Sequence, residues 1–295
     1  MAGPTAVGKT SLSIQLAKRF QAEIISADSR QFFKEMEIGT AKPTRNEMAE
    51  VPHHFINSHS IHDDYNVGYF EKEVLVFLDE LFEKHDVAFV VGGSGLYMKA
   101  LCEGIDEMPA IAAEIRQKLN AEFEQNGIEY LQKEVAKSDP SYFEIVDRYN
   151  PQRLIRALEL YRGTGKNMSF YRAQNEKQIE RPFDIVRIGI ERPREELYRR
   201  INVRMEQMIA EGLFQEAEEL YKFRHLNALQ TVGYSEIFGF LDGKYDREEA
   251  IRLLKRNSRR YAKRQMTWFK RDPEFVWFSA DEIEDILVYI SRKLE

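Results

Sequence analysis

The stretch GPTAVGKT, Gly3 to Thr10, fits the pattern G-x-x-x-x-G-K-[ST] at every fixed position, and a helical pattern of Leu12, Leu16 and Phe20 follows it at once. A strand-to-helix turn of this composition is built to hold phosphate. Its glycines let the backbone curl so that several N–H groups converge on one anion, and the helix N-terminus adds its partial positive charge. Lys9 supplies a full charge, and the Thr10 hydroxyl is placed to ligate Mg2+. The loop alone does not say which phosphate ester it holds. ATP-using kinases, GTPases and diphosphate transferases share this chemistry.

Outward from the loop, Glu23–Ala27 reads as a short strand ending at Asp28, and Glu71–Lys84 as an amphipathic helix. Val87–Val91 is an uninterrupted apolar strand that Gly92, Gly93, Ser94 and Gly95 turn into a helix from Leu96. Strand, glycine turn and helix in alternation predict an α/β fold, a P-loop NTPase-like parallel sheet core covered on both faces. From Ala113 to about Arg172 the periodicity is helical, over Ala113–Asn126, Ile128–Lys137 and Pro151–Arg162, with breaks at Gly127, Pro140 and Gly163. Phe183–Ile190 then reads as a strand rejoining the sheet. The expected organisation is a core of residues 1–109 and 183–295 with an inserted all-helical subdomain over 110–182. The C-terminal part is helical apart from a short strand at Glu274–Phe278. A P-loop normally hangs from a central strand, yet only Met1 and Ala2 precede Gly3, so the lead-in strand is expected to lie outside this sequence.

The 295 residues are 43% hydrophobic and 31% charged, ordinary for a globular protein that buries a core. The lone Cys102 excludes an internal disulfide framework and a multi-cysteine zinc site. No apolar run is long enough to span a membrane and no signal-peptide pattern precedes the first motif, so a cytoplasmic protein without membrane contact is expected. Net charge is −6, but from Ile251 to Arg271 no acidic residue occurs. Arg252, Arg256, Arg259 and Lys263 recur there at helical steps, with Arg264 beside them, while Leu254, Tyr261 and Trp268 fall on another side. Faces that merely contact solvent mix signs, so this one is expected to bind a polyphosphate backbone.

Asp28, at a strand's C-terminal end, should face the P-loop across the ligand crevice. It can ligate magnesium, take a proton from a nucleophile, or cap a helix. Ser29 and Gln31 can bond a base edge, and Ser94 should point into the same crevice. His53, His54, His59 and His62 cluster, but their spacing places no third or fourth metal ligand, and loop or packing roles are expected.

The motifs GPTAVGKT, SADSRQ, IGTAKPT, VPHHF, VVGGSGLYMKAL, NPQRLIRALE, TVGYSEI and RRYAKRQMTWFKR, in that order over nearly the whole chain, resemble the bacterial tRNA dimethylallyltransferases. That resemblance implies transfer of a dimethylallyl group from dimethylallyl diphosphate to N6 of the adenosine beside the tRNA anticodon, with Mg2+ required. It implies that Gly3, Thr5, Gly8, Lys9, Thr10 and Ser11 hold the diphosphate and that Asp28 is the general base. Ser94, where most members carry threonine, and Arg116 would stand at the reacting centre. Asp28, Ser29, Arg30, Gln31 and Ser94, the stretch Gln152, Arg153, Leu154, Ile155 and Arg156, and Arg259, Lys263 and Arg264 would meet tRNA. The inserted helices would grip the anticodon stem-loop, and the enzyme would act as a monomer. A P-loop small-molecule kinase and an adenylate isopentenyltransferase are the alternatives. The kinase has no need of the acid-free basic helix, and the adenylate enzyme needs no stem-loop grip.

Overall fold

The computed structural model describes residues 1–106, 108–174 and 180–295. Helix α1 (Lys9–Phe20) begins at the P-loop lysine and buries Leu12, Ile14, Leu16 and Ala17 in the same cluster as Ile24. Then come β1 (Glu23–Ser26), α2 (Arg45–Glu50), β2 (His53–His54), α3 (Val67–Phe82), β3 (Ala88–Val91) and α4 (Gly95–Glu103). Strand β1 lies between β2 and β3 and runs parallel to both. Ile24 and Ile25 point to opposite faces and both are buried, as a sheet covered on two sides requires.

The next elements are α5 (Ala113–Ser138), α6 (Pro140–Ile145), α7 (Pro151–Thr164) and α8 (Met168–Gln174). Gly127, at φ 73°, divides α5 at the break its sequence suggested. The Asn150 side chain accepts from the Arg153 N–H and Pro151 opens α7, a cap that sets where this helix starts. Leu119, Leu131, Val135, Leu154, Ile155 and Leu158 form a core of their own. The chain separates into two compact units, Met1–Cys102 with Pro182–Glu295, and Glu103–Arg181.

After the helical unit come β4 (Ile188–Glu191), α9 (Arg194–Ala210), α10 (Leu213–Leu220), α11 (Tyr234–Leu241), α12 (Arg247–Phe269), β5 (Val276–Ser279) and α13 (Ile283–Leu294). The strand expected over Phe183–Ile190 forms only from Ile188, because its parallel partner β5 offers a ladder from Val276 to Ser279 and nothing before it. The lead-in strand expected outside the sequence has its place in the sheet held by Met1 and Ala2. The Ala2 N–H donates to the Ile188 carbonyl at 2.8 Å, the Ile190 N–H donates to the Ala2 carbonyl at 2.8 Å, and the Gly92 N–H donates to the Met1 carbonyl at 3.2 Å. Ala2 thus bridges β3 to β4, and Gly3, Ala27 and Gly92 all leave the sheet on its C-terminal side. Phosphate loop, Asp28 turn and second glycine turn are brought together by that topology. Among the described residues no helix is long and apolar enough to cross a membrane.

Candidate active site

The P-loop is held in shape by cations on its carbonyls. Lys9 Nζ donates to the carbonyls of Gly3 at 2.9 Å and Pro4 at 2.8 Å, Arg200 Nε to Ala6 at 2.8 Å, and Arg192 Nε to Val7 at 2.8 Å. In a trans peptide the carbonyl and the following N–H point in opposite directions. Anchoring the Val7 carbonyl therefore turns the Gly8 N–H the other way. Gly8 sits at φ 114°, which an L side chain rarely adopts, and α1 starts directly after it. The N–H groups of the first turn, Lys9 to Ser11, have no carbonyl of their own helix to bond. Together they are the cradle that the motif would offer an anion.

This cradle opens on a crevice of about 610 Å3 lined by core-unit residues, among them Lys9, Thr10, Asp28, Arg30, Arg200 and Arg204. Burial pushes the Lys9 ammonium down to about 8, with the Asp28 carboxylate working in the opposite direction. Burial likewise lowers Arg30 and Arg204, each partly offset by Asp28. Three half-buried cations around one carboxylate leave an excess of positive charge that suits an anion. Arg200 and Arg204 were not singled out in the sequence. The only local clue is their i, i+4 spacing on α9, a helix that follows a strand of the same sheet.

Asp28 lies where expected, just beyond β1. Its Oδ1 accepts the Arg30 N–H at 3.0 Å, closing a turn rather than capping a helix, and Oδ2 has no hydrogen-bond partner among the described residues. The Ser94 hydroxyl accepts the Ser29 N–H at 2.9 Å and donates to Ser29 Oγ at 3.2 Å, so it is committed to fixing the turn that carries Asp28. Gln31 lines the crevice, but its amide is engaged by the protein. Its Oε1 accepts from the Ser26 hydroxyl at 2.9 Å, and its Nε2 donates to the carbonyls of Thr40 and Ala41 at 3.3 and 3.2 Å. That amide braces the crevice wall in this structure. Of the histidines, His54 pairs with Glu23 at 2.6 Å, His53 bonds the Val51 carbonyl and His59 stacks on Tyr65.

The basic segment is a helix, α12, but its charge differs from the expected stripe. Arg252 is doubly bonded to Glu249 one turn before it, Lys255 reaches Glu206 at 2.6 Å, and Arg259 bonds Asn202 at 2.6 Å. The acids lay upstream and on α9, out of sight of the run itself. Arg260, Lys263, Arg264 and Arg271, which have no acidic partner among the described residues, instead surround a shallow groove with Thr267 and Trp268. Tyr261 lines the crevice, and the Trp268 ring packs over Gly95 while staying 37% exposed.

In the helical unit, Arg116 is held by Glu159 at 3.1 Å and Gln152 at 2.7 Å. The stretch expected to meet tRNA needs correction. Leu154 and Ile155 are fully buried in the unit's own core, because α7 turns them inward, and only Gln152, Arg153 and Arg156 reach solvent.

Comparison with known proteins shows which family the chain resembles. The family model described as IPP transferase matches residues 31–272. The chain is 56% identical over 293 residues to a tRNA dimethylallyltransferase of Cytophaga hutchinsonii, covering 99% of this chain and 96% of that protein. Against the enzyme of the same description from Christiangramia forsetii it is 54% identical with the same coverage. The full-length tRNA isopentenylpyrophosphate transferase from Bacillus halodurans superposes with a TM-score of 0.72 at 38% identity, over 99% of this chain and 95% of that one. A eukaryotic dimethylallyltransferase solved acting on tRNA superposes with a TM-score of 0.74 at 26% identity, over 99% of this chain and 76% of that one.

Proposed function

The chain belongs to the IPP transferase family, and on that premise we propose how its core crevice performs the reaction of a tRNA dimethylallyltransferase. That reaction moves a dimethylallyl group from dimethylallyl diphosphate to N6 of the adenosine next to the tRNA anticodon. The small-molecule kinase and the free-adenylate prenyltransferase find no support among these relatives. The observation that carries the reading is the pairing of a half-buried cationic cradle with a carboxylate whose Oδ2 has no hydrogen-bond partner among the described residues, on one side of one sheet.

The P-loop holds the diphosphate, with the N–H groups of Gly8 to Ser11 and the Lys9 ammonium on its oxygens and Arg204 alongside. These groups meet more negative charge as the allylic C–O bond breaks, so they stabilise the transition state more than the ground state. The amine of adenine is a poor nucleophile, its lone pair delocalised into the ring. Asp28 accepts its proton as the new C–N bond forms. The allylic carbon spreads the charge that builds there over its double bond. A stacked base cannot reach this chemistry, so the adenosine is extruded into the crevice.

The site fits Mg2+. Among the described residues no group of three or more His, Cys, Asp or Glu could cage a metal, whereas magnesium typically takes one or two protein oxygens and completes its shell with phosphate and water. The Thr10 hydroxyl at the cradle suits that role. When bound, the ion supplies a Lewis acid to the leaving diphosphate. Arg260, Lys263 and Arg264 of α12, and Arg153 and Arg156 of the helical unit, are the cations proposed to hold the tRNA backbone, in the cytoplasm where that substrate occurs.

The test is to incubate the protein with labelled dimethylallyl diphosphate, Mg2+ and either tRNA or AMP. Label should enter tRNA at the adenosine beside the anticodon. Label confined to AMP, or none transferred, would overturn this assignment.

A further inference from the structure

Gln265 is nearly buried on α12, and its side-chain amide spans two loops far from it in the chain. Its Oε1 accepts the N–H of Thr5 in the P-loop at 2.9 Å, and its Nε2 donates to the carbonyl of Gly93 in the second glycine turn at 2.9 Å. The contact is tight. A Cβ on Gly93 would stand 2.2 Å from Gln265 Nε2, and a Cβ on Gly95 would stand 2.2 Å from the Trp268 ring. The glycines of this turn are therefore needed where α12 docks, one under the Gln265 amide and one under the indole.

The chemistry required at this position is narrow. One loop presents a part-buried donor and the other a buried acceptor, so the bridging group must accept at one end and donate at the other without bringing charge. A carboxamide of glutamine length does this. A carboxylate would satisfy Thr5 and repel the Gly93 carbonyl, and an aliphatic chain would leave both unpaired.

We infer that Gln265 is a positioning residue for the diphosphate, fixing the P-loop at Thr5 against the Gly93 turn so that the remaining loop N–H groups are aimed at the phosphates. The inference rests on the reading above that the P-loop holds the diphosphate. Gln265 touches no reacting atom in this account. It acts through Thr5 on the cradle and through Gly93 on the turn whose Ser94 holds Ser29 beside Asp28. The same helix carries Lys263 and Arg264 immediately before it, so the residue that shapes the loop belongs to the element proposed to bind the tRNA backbone.

The test measures binding of inorganic pyrophosphate in Mg2+, binding of tRNA, and the steady-state transfer, for the full chain and for Gln265→Leu and Gln265→Glu. Loss of two buried hydrogen bonds that shape the cradle should weaken pyrophosphate by about tenfold in Gln265→Leu. The KM for dimethylallyl diphosphate should rise with it, while tRNA affinity stays within about twofold. Gln265→Glu should be as weak at pH 8 but regain affinity relative to the wild type as pH falls toward 6, since burial against the Gly93 carbonyl raises a carboxyl at this position and its protonated form again donates to Gly93. That recovery needs no comparison with the leucine variant, should the latter fold poorly. Unchanged pyrophosphate affinity in both variants would overturn the inference. So would a loss shared equally by pyrophosphate and tRNA and explained by a smaller folded fraction. A wild-type protein that binds pyrophosphate yet leaves tRNA unlabelled would overturn the prenyl-transfer reading and leave this one to be judged on the affinities.

Discussion

Raising the pH through 8 should release the diphosphate, and Lys9 sets both the direction and the size of the effect. Burial holds its ammonium at about 8 in the free protein, with Arg204 pressing the same way and Asp28 opposing. The protonated lysine is the form that binds an anion, so affinity is full below that value and is lost above it. With a pKa near 8, about nine-tenths of the protein carries the charge at pH 7 and about one-tenth at pH 9. Affinity for dimethylallyl diphosphate without tRNA should therefore fall about tenfold between those pH values, about 1.4 kcal/mol. The ester itself, titrating near 6 by analogy with phosphate monoesters, is already ionised across this range. Because the bound anion holds the lysine charged, binding at pH 9 must draw in about 0.9 proton, against about 0.5 at pH 8 and about 0.1 at pH 7. Calorimetry in buffers of different ionisation enthalpy reads that uptake directly. Lys9→Arg provides the control, since a guanidinium keeps its charge throughout and should bind, at whatever strength, without the slope. A wild-type affinity that is flat to pH 9.5, or an equal slope in Lys9→Arg, would refute the reasoning.

Asp28→Ala should cut kcat by roughly 10^2 to 10^4-fold while tRNA affinity stays near wild type, because only the proton acceptor is removed; single-turnover kinetics beside filter binding would show it, and near-normal turnover would remove Asp28 as base. Glu216→Ala should lower stability by about 3 kcal/mol in urea denaturation, since the Glu216 carboxylate accepts the N–H groups of Glu37, Ile38 and Gly39 at 3.0, 2.7 and 2.9 Å as well as the buried Tyr234 hydroxyl at 2.5 Å. A loss under 1 kcal/mol would mean the loop before Thr40 holds itself. Lys263→Ala should weaken tRNA binding and reduce the slope of log affinity against log salt by about one, leaving diphosphate affinity alone. An unchanged slope would show that this cation meets no phosphate.

What the sequence made legible and what it hid divide by distance along the chain. The P-loop, the Asp28 turn and the glycine turn after β3 are each decided within a few residues, by glycine at a left-handed position or by a strand that must end, and all three stand where local pattern put them. The groups that complete the cradle do not. Arg200 reaches Ala6 across 194 positions and Gln265 reaches Thr5 across 260, and no window of sequence contains both ends of such a bond. The basic face departs from its sequence pattern for the same reason. An acid-free run says nothing about Glu206, 49 positions away, which takes Lys255 out of the free charge. Strand β4 is shorter than its sequence suggests because a strand ends where its partner ends, and its partner lies far along the chain, Ile188 pairing with Val276. Leu154 and Ile155 are the instructive exception, because here the local signal was present and was overridden. In Pro151–Thr164 the apolar positions Leu154, Ile155 and Leu158 fall at helical spacing, the pattern of an inward face. Treating the whole motif as a contact surface carried the two buried residues along with the exposed Gln152, Arg153 and Arg156. A motif shared by a family mixes residues kept for the ligand with residues kept for the fold, and helical period separates them before any coordinates do. The same criterion applied to α12 marks Leu254, Ser258, Ala262, Gln265 and Phe269 as its inward row. A glutamine in such a row is a polar group in an apolar position, and that is the one local sign by which Gln265 could have been found.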